Sequence, residues 1–426
     1  EQSPEKACVT GSIPVLATIK KLIFFLHFMN QKSEKILFLF KNRRWPQEFI
    51  INKFSHRYKT EKIFITDIIE KSNREIIRFV NQTIKKNNIS TIIFEGDHIS
   101  IFNFNFISSI KGVKKGILLF DDFMYHDINI ITAKACHFVL TGCPHSSQKF
   151  EKAGYKSLFV PMEADGNIFK KYKNITKNID VLFFGDLNKY RKEYVDYIRN
   201  SGINLKIISI KNKETPNHEN LVKLINESKI VINFSRAEFL KKKYLGSPTH
   251  KNYYQFKGRL YQTGLCGTAC ITEYSQSHSL IFDEKELISF KTKEECVNIL
   301  NKILSDKKSL EFYANNLYKK CFELEDKNYI TKIKNLIDSV KIDETNFNAV
   351  DKFPFWYKFI FIKQRIWLRF RKEKFLSFFT EIHDIIFAGQ RNSLLEVLLF
   401  SLYSIFYSFI YLIRYPFKKI KNLIIS

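Results

Sequence analysis

The sequence predicts an α/β fold of two successive units, each built around a parallel sheet with helices on both faces. Short apolar runs of strand length alternate with helical stretches along most of the chain. This alternation stops at a polar segment, residues 170–178, and then restarts. The chain has 426 residues and is 45% hydrophobic, which is enough for two domains with cores of their own.

Composition shifts divide the chain into four parts. We expect a lead-in at residues 1–30, a first unit at 31–165, a second unit at 175–342 and a basic, aromatic helical tail at 345–426. The lead-in is apolar but carries charges within its apolar run and no clear cleavage site, which favours an amphipathic helix over a signal peptide.

The first unit opens with a continuous apolar run at residues 36–40, which predicts a strand buried on both faces. A helical apolar stripe follows at 67–86. Further strands are expected at 91–94, 116–120, 137–140 and 158–160, with a short helix between the last two.

Two carboxylates, Asp121 and Asp122, follow the predicted strand at 116–120, where a strand meets a loop. Carboxylates in that position can act as a base or hold an acceptor hydroxyl. The alternative is that an aspartate caps the helix that follows, which is a frequent role for this residue. The sequence leaves both readings open.

The second unit repeats the alternation. Its predicted strands lie at 181–184, 205–210, 230–234 and 269–272, and its predicted helices at 191–200, 220–228, 253–265, 294–305 and 308–324. Because ligands of open parallel sheets bind at the carboxyl ends of the strands, polar residues at those ends are candidates for a site.

Two strand ends in the second unit carry such residues. After the first strand, Gly185 allows a ligand close to the backbone, and Lys189 and Arg191 can meet phosphate. The strand predicted at 230–234 carries polar residues at and just after its end. They are Asn233, Ser235 and Arg236.

The strongest local signal is Lys257-Gly-Arg259 at the start of the helix predicted for 253–265. Two cations there oppose the helix dipole, which favours anions at that end. Their placement is reasonable if an anion binds there too, since backbone N–H groups and both side chains then converge on it. The alternative is two ordinary surface charges.

Net charge and motif content narrow the function further. Lys and Arg exceed Asp and Glu by 69 to 43, a net charge of +26, which favours anionic partners unless it only reflects a biased composition. The seven cysteines include no Cys-x-x-Cys pair, which indicates reduced, buried thiols. The sequence has no dinucleotide-binding glycine motif, P-loop, zinc-protease motif or Asp-x-Asp pair, so we expect no metal site and no tightly bound cofactor.

The tail combines 20 aromatic residues and 13 Lys or Arg with only 5 acids over residues 351–426. An uncharged run of 17 residues, 397–413, lies inside it. This composition favours a helix lying on an anionic membrane surface. Packing against the protein's own domains and a single membrane span are the alternatives.

Taken in order, these residues resemble the spore-maturation type of glycosyltransferase, which is also similar to group 1 glycosyltransferases. The resemblance covers roughly residues 90–340. In the second unit it is carried by Lys257-Gly-Arg-x-Tyr-Gln-x-x-x-Cys-Gly with the later Thr272-Glu273. Two further pieces of that unit agree, namely Phe184-Gly185 with Arg191 and the stretch 221–235. Before the second unit it is carried by Phe120-Asp121-Asp122 and by Pro161-Met-Glu-Ala-Asp165.

The resemblance implies a GT-B fold, in which two Rossmann-like domains face a cleft and the second binds a nucleotide-sugar of UDP or GDP type. By position, Lys257 and Arg259 then neutralise the leaving diphosphate and replace a metal. Asp121 and Asp122 stand on the acceptor side. The implied donor-binding residues are Gly185, Lys189, Arg191, Asn233, Ser235, Arg236, Gln262, Gly267, Thr268 and Glu273.

The implied activity is metal-independent, retaining sugar transfer to a cell-surface glycan or lipid-linked acceptor. The enzyme is expected in the cytoplasm, at the inner face of the cell membrane, and no nucleic-acid partner is expected. Gln262 departs from the pattern, since relatives usually carry a glutamate that grips the ribose hydroxyls. This departure keeps two alternatives open: a catalytically silent binding or scaffold protein of GT-B fold, and a nucleotide-sugar epimerase.

Overall fold

The computed structural model describes residues 34–343 apart from 69–70, 72, 98–101, 103, 210–216, 237–253 and 326–327, together with a few positions between 398 and 413. Two parallel sheets, one in each half of this region, form the core. The predicted α/β class with two parallel sheets is confirmed. The lead-in at 1–30 and most of the tail at 345–426 lie outside the described residues.

The first sheet has six parallel strands in the order β2-β1-β3-β4-β5-β6. The strands are β1 (Lys35–Phe40), β2 (Lys59–Phe64), β3 (Thr91–Glu95), β4 (Lys114–Leu119), β5 (Phe138–Thr141) and β6 (Ser157–Phe159). The helices between them are α1 (Trp45–Ser55), α2 (Ile65–Ile68), α3 (Asn73–Asn87), α4 (Phe104–Ser108), α5 (Asp122–Ala133) and α6 (Pro144–Lys152).

The second sheet has five parallel strands in the order β11-β10-β9-β7-β8. They are β7 (Ile179–Gly185), β8 (Leu205–Ser209), β9 (Ser228–Asn233), β10 (Ala269–Glu273) and β11 (Ile288–Phe290). The helices are α7 (Lys189–Asn200), α8 (His218–Asn226), α9 (Gly258–Leu265), α10 (Lys293–Ser305), α11 (Lys307–Glu325) and α12 (Asn328–Ser339). Residues 160–178 form the linker between the sheets.

Both faces of each sheet are covered by apolar side chains. On β1, Leu37 and Leu39 pack into one core while Ile36, Phe38 and Phe40 pack into the opposite one. Successive side chains of a strand point to opposite faces, so a strand buried on both faces becomes a continuous apolar run. This is why the runs in the sequence located β1, β3, β4 and β5.

The strand order places a topological switch point in the second sheet. Strand β7 lies between β8 and β9, so the helices after β7 and after β9 leave in opposite directions along the sheet. A crevice opens at the carboxyl ends of the two strands at such a point, and this is where parallel α/β sheets bind ligands. The strand-end residues there are Gly185 and Asn233.

The helix predicted for residues 253–265 begins later, at Gly258. The backbone N–H of Gln255 donates to Ser235 O at 2.8 Å, and Tyr254 pairs with Arg236 in an isolated antiparallel bridge. These contacts hold residues 254–256 extended alongside the end of β9. Lys257 is therefore the residue that precedes the helix, and Arg259 is the second residue within it.

The last helix of the described region 34–343, α12, packs against the first sheet. Ile333 and Ile337 of α12 pack into the core that contains Ile36 and Phe38. Lys114 of β4 adds a hydrogen bond from its Nζ to the carbonyl of Ile337 at 2.8 Å. The expected second unit, 175–342, thus includes a helix whose apolar face is buried on the first unit.

A buried ionic cluster joins the two halves of the molecule. Glu325, at the end of α11, accepts hydrogen bonds from Lys53 Nζ and from the backbone N–H of Gly166, both at 2.8 Å, and one from the hydroxyl of Tyr261. These four residues, the Glu325 cluster, belong to α1, the linker, α9 and α11. Helix α9 is therefore fixed to the first unit as well as to its own sheet.

We expect the Lys53–Glu325 pair to be strongly coupled, because its side chains are only 13% and 19% exposed. Leaving one buried charge without its partner costs about 3–5 kcal/mol of unfolding free energy. Urea unfolding of Lys53→Met, Glu325→Gln and the double variant should give a double-mutant coupling above about 1 kcal/mol.

The matched control is the exposed pair Arg43–Asp67, whose side chains are 70% and 50% exposed. Its coupling should stay below about 1 kcal/mol. Equal coupling energies for the two pairs would contradict the structural role of the Glu325 cluster.

Candidate functional site

The two sheets approach each other across a cleft, and several side-chain contacts bring its two sides together. Gln255 Nε2 donates to Asp121 Oδ1 at 3.1 Å, and Cys143 Sγ lies 3.3 Å from Ser277 Oγ. The N–H of Gly258 donates to Glu163 Oε2 of the linker at 2.9 Å. Asp121 and Cys143 follow strands of the first sheet, so the cleft lies between the carboxyl ends of the two sheets.

Arg259 lies at the switch point of the second sheet. Its Nη1 donates to Asn233 Oδ1 at the end of β9 at 2.7 Å. Its guanidinium carbon is 5.1 Å and 5.0 Å from the ring centroids of Phe183 and Phe184 on β7. Burial and then the neighbouring Arg191 lower the pKa of Arg259 to about 9. Its Nε–H is buried and has no hydrogen-bond partner among the described groups.

Gly185 makes room for that guanidinium. A Cβ atom at position 185 would lie 2.3 Å from Arg259 Nη2, and the backbone φ of +135° is one that side chains rarely adopt. The glycine expected to allow a ligand close to the backbone therefore first allows Arg259 to approach it.

Lys257 lies in the same electrostatic environment. Burial and the nearby guanidinium groups of Arg191 and Arg259 together lower the pKa of its ammonium to about 8. The carboxylates of Asp121 and Glu163 act in the opposite direction. The two cations predicted at this helix start are thus brought together in a buried setting, between carboxylates from the first unit and the linker.

The turn after β7 adds a third cation. Asn188 Oδ1 accepts the N–H of Arg191 at 2.8 Å and caps α7, while Arg191 Nη1 folds back to donate to the carbonyl of Asp186 at 2.7 Å. Arg191 is buried and close enough to depress the pKa values of Lys257 and Arg259. Lys189 is exposed at the start of α7.

The ends of β9 and β10 form a second polar group of residues. Glu273 Oε2 accepts the backbone N–H groups of Ser235 at 2.9 Å and Arg236 at 2.8 Å, and its other oxygen accepts the hydroxyl of Tyr190. Burial raises the pKa of Glu273, while these three donors lower it. The guanidinium of Arg236 lies 4.8 Å from the ring centroid of Tyr190.

On the opposite side of the cleft, hydrogen bonds from the local backbone fix the position of Asp121. The N–H groups of Phe120 and Asp121 donate to Asp97 Oδ2 at 3.1 and 3.0 Å. Asp97 Oδ1 accepts from Asn129 Nδ2 at 2.6 Å. Burial, followed by the nearby Asp121, raises the pKa of Asp97. Asp97 therefore fixes the loop that presents Asp121 to the cleft.

Asp122 is placed differently from Asp121. It is 1% exposed and is bonded through Oδ1 to Asn129 Nδ2 at 2.9 Å and through Oδ2 to His126 Nδ1 at 2.8 Å. Both partners lie on its own helix, α5. The two adjacent carboxylates thus separate into one that faces the cleft and one that is internal to the first unit.

Three of the expected donor-binding residues are not brought into the cluster of cations. Thr268 donates to Ile225 O at 2.8 Å at the start of β10, the opposite edge of the sheet. A Cβ at the neighbouring Gly267 would meet the side chain of Lys171. Gln262 is buried and its Nε2 donates to the linker carbonyl of Glu163 at 2.7 Å.

Sequence reasoning missed three residues that the structure brings to the cleft: Asp97, Glu163 and Gln255. Asp97 follows a strand, and Glu163 lies in the Pro161–Asp165 segment noted above, so both had a positional signal. Gln255 had none, because it was assigned to a helix.

Three further features concern the described part of the chain only. No group of three or more His, Cys, Asp or Glu side chains there could hold a metal ion. No helix in that part is both long enough and apolar enough to span a membrane. The six cysteines within it are free and buried, as the sequence predicted.

Comparison with known proteins agrees with this architecture. Residues 167–338 match the glycosyl transferase-like family. No curated protein sequence matches the chain.

Three solved structures share the fold at low sequence identity. HepE of Anabaena in complex with UDP and glucose is 14% identical, with a TM-score of 0.51 over 72% of this chain and 100% of that one. Sucrose-phosphate synthase of Thermosynechococcus elongatus is 8% identical, with a TM-score of 0.50 over 72% and 98%. A glycosyltransferase of Rickettsia africae is 9% identical, with a TM-score of 0.50 over 72% and 100%.

The fold and the site define a class. Two parallel α/β sheets that face a cleft, with the family match in the second half, form the GT-B architecture. Residues 167–338 match a glycosyl transferase-like family, and 72% of the chain shares the fold of these solved structures, as the resemblance implied.

We expect Asp122 and Asp121 to differ in their contribution to stability. Asp122→Ala leaves His126 and Asn129 with buried, unpaired groups, and should lower the unfolding free energy by about 1–3 kcal/mol. Asp121→Ala removes one contact to Gln255 from a half-buried position, and should cost less than about 1 kcal/mol. Urea unfolding followed by circular dichroism measures both, and equal losses would contradict the assignment of Asp122 to the interior.

Proposed function

We propose that the chain transfers a sugar from a nucleoside-diphosphate donor, held by the second unit, to a hydroxyl acceptor presented from the first. The observation that carries the proposal is the convergence of Arg191, Lys257 and Arg259 at the switch point of the second sheet. Three cations held in a low-dielectric cleft are stable only with negative charge nearby. The carboxylates of Asp121 and Glu163 supply part of it, and a diphosphate supplies more.

The same cations supply the chemistry. As the sugar–phosphate bond breaks, negative charge develops on the leaving diphosphate, and preorganised cations stabilise it. Arg259 is already oriented by Asn233 and by the rings of β7, so little reorganisation is needed. Its buried Nε–H offers a further donor. We propose that this arrangement takes the place of a metal ion.

The remaining donor contacts are assigned to the strand ends. Gly185 ends β7 and is followed by Lys189 and Arg191, and Asn233 ends β9 and is followed by Ser235 and Arg236. Glu273 orders the backbone of the last two. A nucleotide of UDP or GDP type fits this proposal, and UDP is the first choice because the Anabaena neighbour carries UDP.

The acceptor side of the proposal rests on Asp121. Its loop is fixed by Asp97 and its carboxylate is held by Gln255 of the second unit, directly across the cleft. A carboxylate in this place can orient an acceptor hydroxyl or accept its proton. We propose a cell-surface glycan or lipid-linked acceptor. Retention of the anomeric configuration rests on the resemblance alone.

One observation favours a second candidate, a nucleotide-binding protein without transferase activity. The amide of Gln262, which stands where relatives carry the ribose-binding glutamate, is bonded to the linker. Binding without transfer, in the assays below, would favour this candidate.

We expect UDP or a UDP-sugar to raise the melting temperature of the protein, with or without Mg²⁺. At 100 times the dissociation constant the ligand adds about 2.7 kcal/mol, or roughly 5–10 °C for domains of this size. The double variant Lys257→Ala with Arg259→Ala should lose this shift and lose sugar transfer while remaining folded.

The control is Lys302→Ala with Lys319→Ala, which removes two exposed charges from the same half of the chain. It should keep both the shift and the transfer. Unchanged turnover in the Lys257 and Arg259 double variant would overturn the proposed site.

We also propose that the tail holds the enzyme at the cytoplasmic, anionic face of a membrane, near lipid-linked acceptors. The support is its basic, aromatic composition together with a series of exposed apolar side chains at helical spacing. Those described are Leu398, Leu399, Leu402, Ile405, Phe406, Phe409 and Ile413, each 43–61% exposed. Apolar residues flanked by cations favour the interface of an anionic bilayer.

Flotation with lipid vesicles tests this. The full chain should float with vesicles containing phosphatidylserine, less so at 0.5 M salt, and little with phosphatidylcholine alone. Replacing Phe406 and Phe409 by Ser should reduce flotation, because each removes a large apolar surface. Equal recovery with neutral and anionic vesicles would contradict the proposal.

A further inference from the structure

The N-terminus of α9 is already occupied by a carboxylate of the chain itself. Glu163 Oε2 accepts the N–H of Gly258, the first residue of α9, at 2.9 Å. Only glycine fits at 258, since a Cβ there would lie 2.1 Å from Glu163 Cβ and 2.2 Å from Oε2. The positive end of a helix dipole favours a negative group in this place.

A second bond ties the backbone of the linker to the same helix. Gln262, one turn after Gly258, donates from Nε2 to the carbonyl of Glu163 at 2.7 Å. Both the side chain and the main chain of Glu163 are therefore held by α9. The linker is thereby fixed against the helix that carries Arg259.

The charges around Glu163 are those assigned to donor binding. Lys257 and Arg259 favour its ionised form, while burial and the nearby Asp121 oppose it. Its carboxylate is thus one of two negative groups, with that of Asp121, that favour the charged form of Lys257.

The space beside this carboxylate is small. The cavity between Phe120, Glu163, Gly258 and Tyr261 measures about 10 Å³. This is about the volume that one water molecule needs. While Glu163 holds its present position, nothing larger than a water molecule fits in this cavity.

We propose that Glu163 is an internal competitor of the donor: its carboxylate occupies the place of the diphosphate at the N-terminus of α9, and donor binding displaces it together with the linker. The inference rests on the proposed function, since it assumes that a diphosphate binds at Lys257 and Arg259. Displacement removes one of the bonds that hold the linker to α9, so donor binding and the relative position of the two units are coupled.

Substitution of Glu163 by glutamine tests the proposal. Glutamine keeps the shape and can still accept the N–H of Gly258, but carries no charge to repel phosphate. Calorimetric titration with UDP at pH 7.5 should give a dissociation constant about tenfold to a hundredfold lower for Glu163→Gln than for the unmodified chain.

The matched control is Asp165→Asn. Asp165 is a buried carboxylate of the same linker that accepts a backbone N–H, that of Asn167, at 2.9 Å. Its substitution should leave UDP affinity unchanged within about twofold, because it does not touch α9.

The pH dependence provides a second readout. Because burial raises the pKa of Glu163, its carboxyl group becomes neutral as the pH falls, and the competitor is weakened. The advantage of Glu163→Gln over the unmodified chain should therefore shrink as the pH is lowered from 7.5 to 5.5 and below. Arg259, with a pKa of about 9, stays charged over this range, whereas Lys257, with a pKa of about 8, gains charge in both proteins as the pH falls, and Asp121 is common to both.

The outcomes separate this inference from the proposed function. Tighter UDP binding in Glu163→Gln alone supports it. Equal or weaker binding in that variant, with UDP bound by the unmodified chain, overturns it and leaves the donor site intact. No binding of any nucleotide by either protein overturns the proposed function and this inference with it.

Discussion

The confinement of positive charge at the carboxyl edge of the second sheet is the constraint on which the rest of the cleft depends. Arg259 and Lys257 are held where burial lowers their pKa values to about 9 and 8. A charge in such a place is stable only if hydrogen bonds, ring faces or counter-charges surround it. Most of the local structure provides these partners.

Each neighbouring element contributes one of them. Strand β9 contributes the side-chain amide oxygen of Asn233, and β7 contributes two phenyl rings and a residue without a side chain at 185. The linker and the first unit contribute carboxylates, Glu163 and Asp121. Because the last two come from outside the second sheet, the charge of the site also helps to hold the two units together.

The sequence located the strands whose signal is a continuous apolar run, because such a run is the direct result of burial on both faces. It missed β2, in which Lys59, Glu61 and Lys62 interrupt the apolar pattern, since an edge strand tolerates charge. The start of α9 was placed too early because pairing of Tyr254 with Arg236, a tertiary contact, overrides the local helical pattern.

The site was predictable where its residues directly follow strands, as Gly185, Asn233 and Asp121 do. Gly267 and Thr268 were assigned to it by the resemblance alone. An eight-residue helix, however, carries the chain about 12 Å, to the opposite edge of the sheet. Glu163 is separated from Gly258 by 95 residues, so no local pattern could reveal their contact.

The thiol of Cys143 is a natural reporter of cleft opening, because it is a modifiable group buried in the cleft. It lies at the end of the first sheet and its Sγ is 3.3 Å from Ser277 Oγ of the second half, where both residues are buried. A thiol must reach solvent before an alkylating reagent can attack it. The rate at which Cys143 is modified in the native protein therefore measures how often the two halves separate, without any probe being added to the chain.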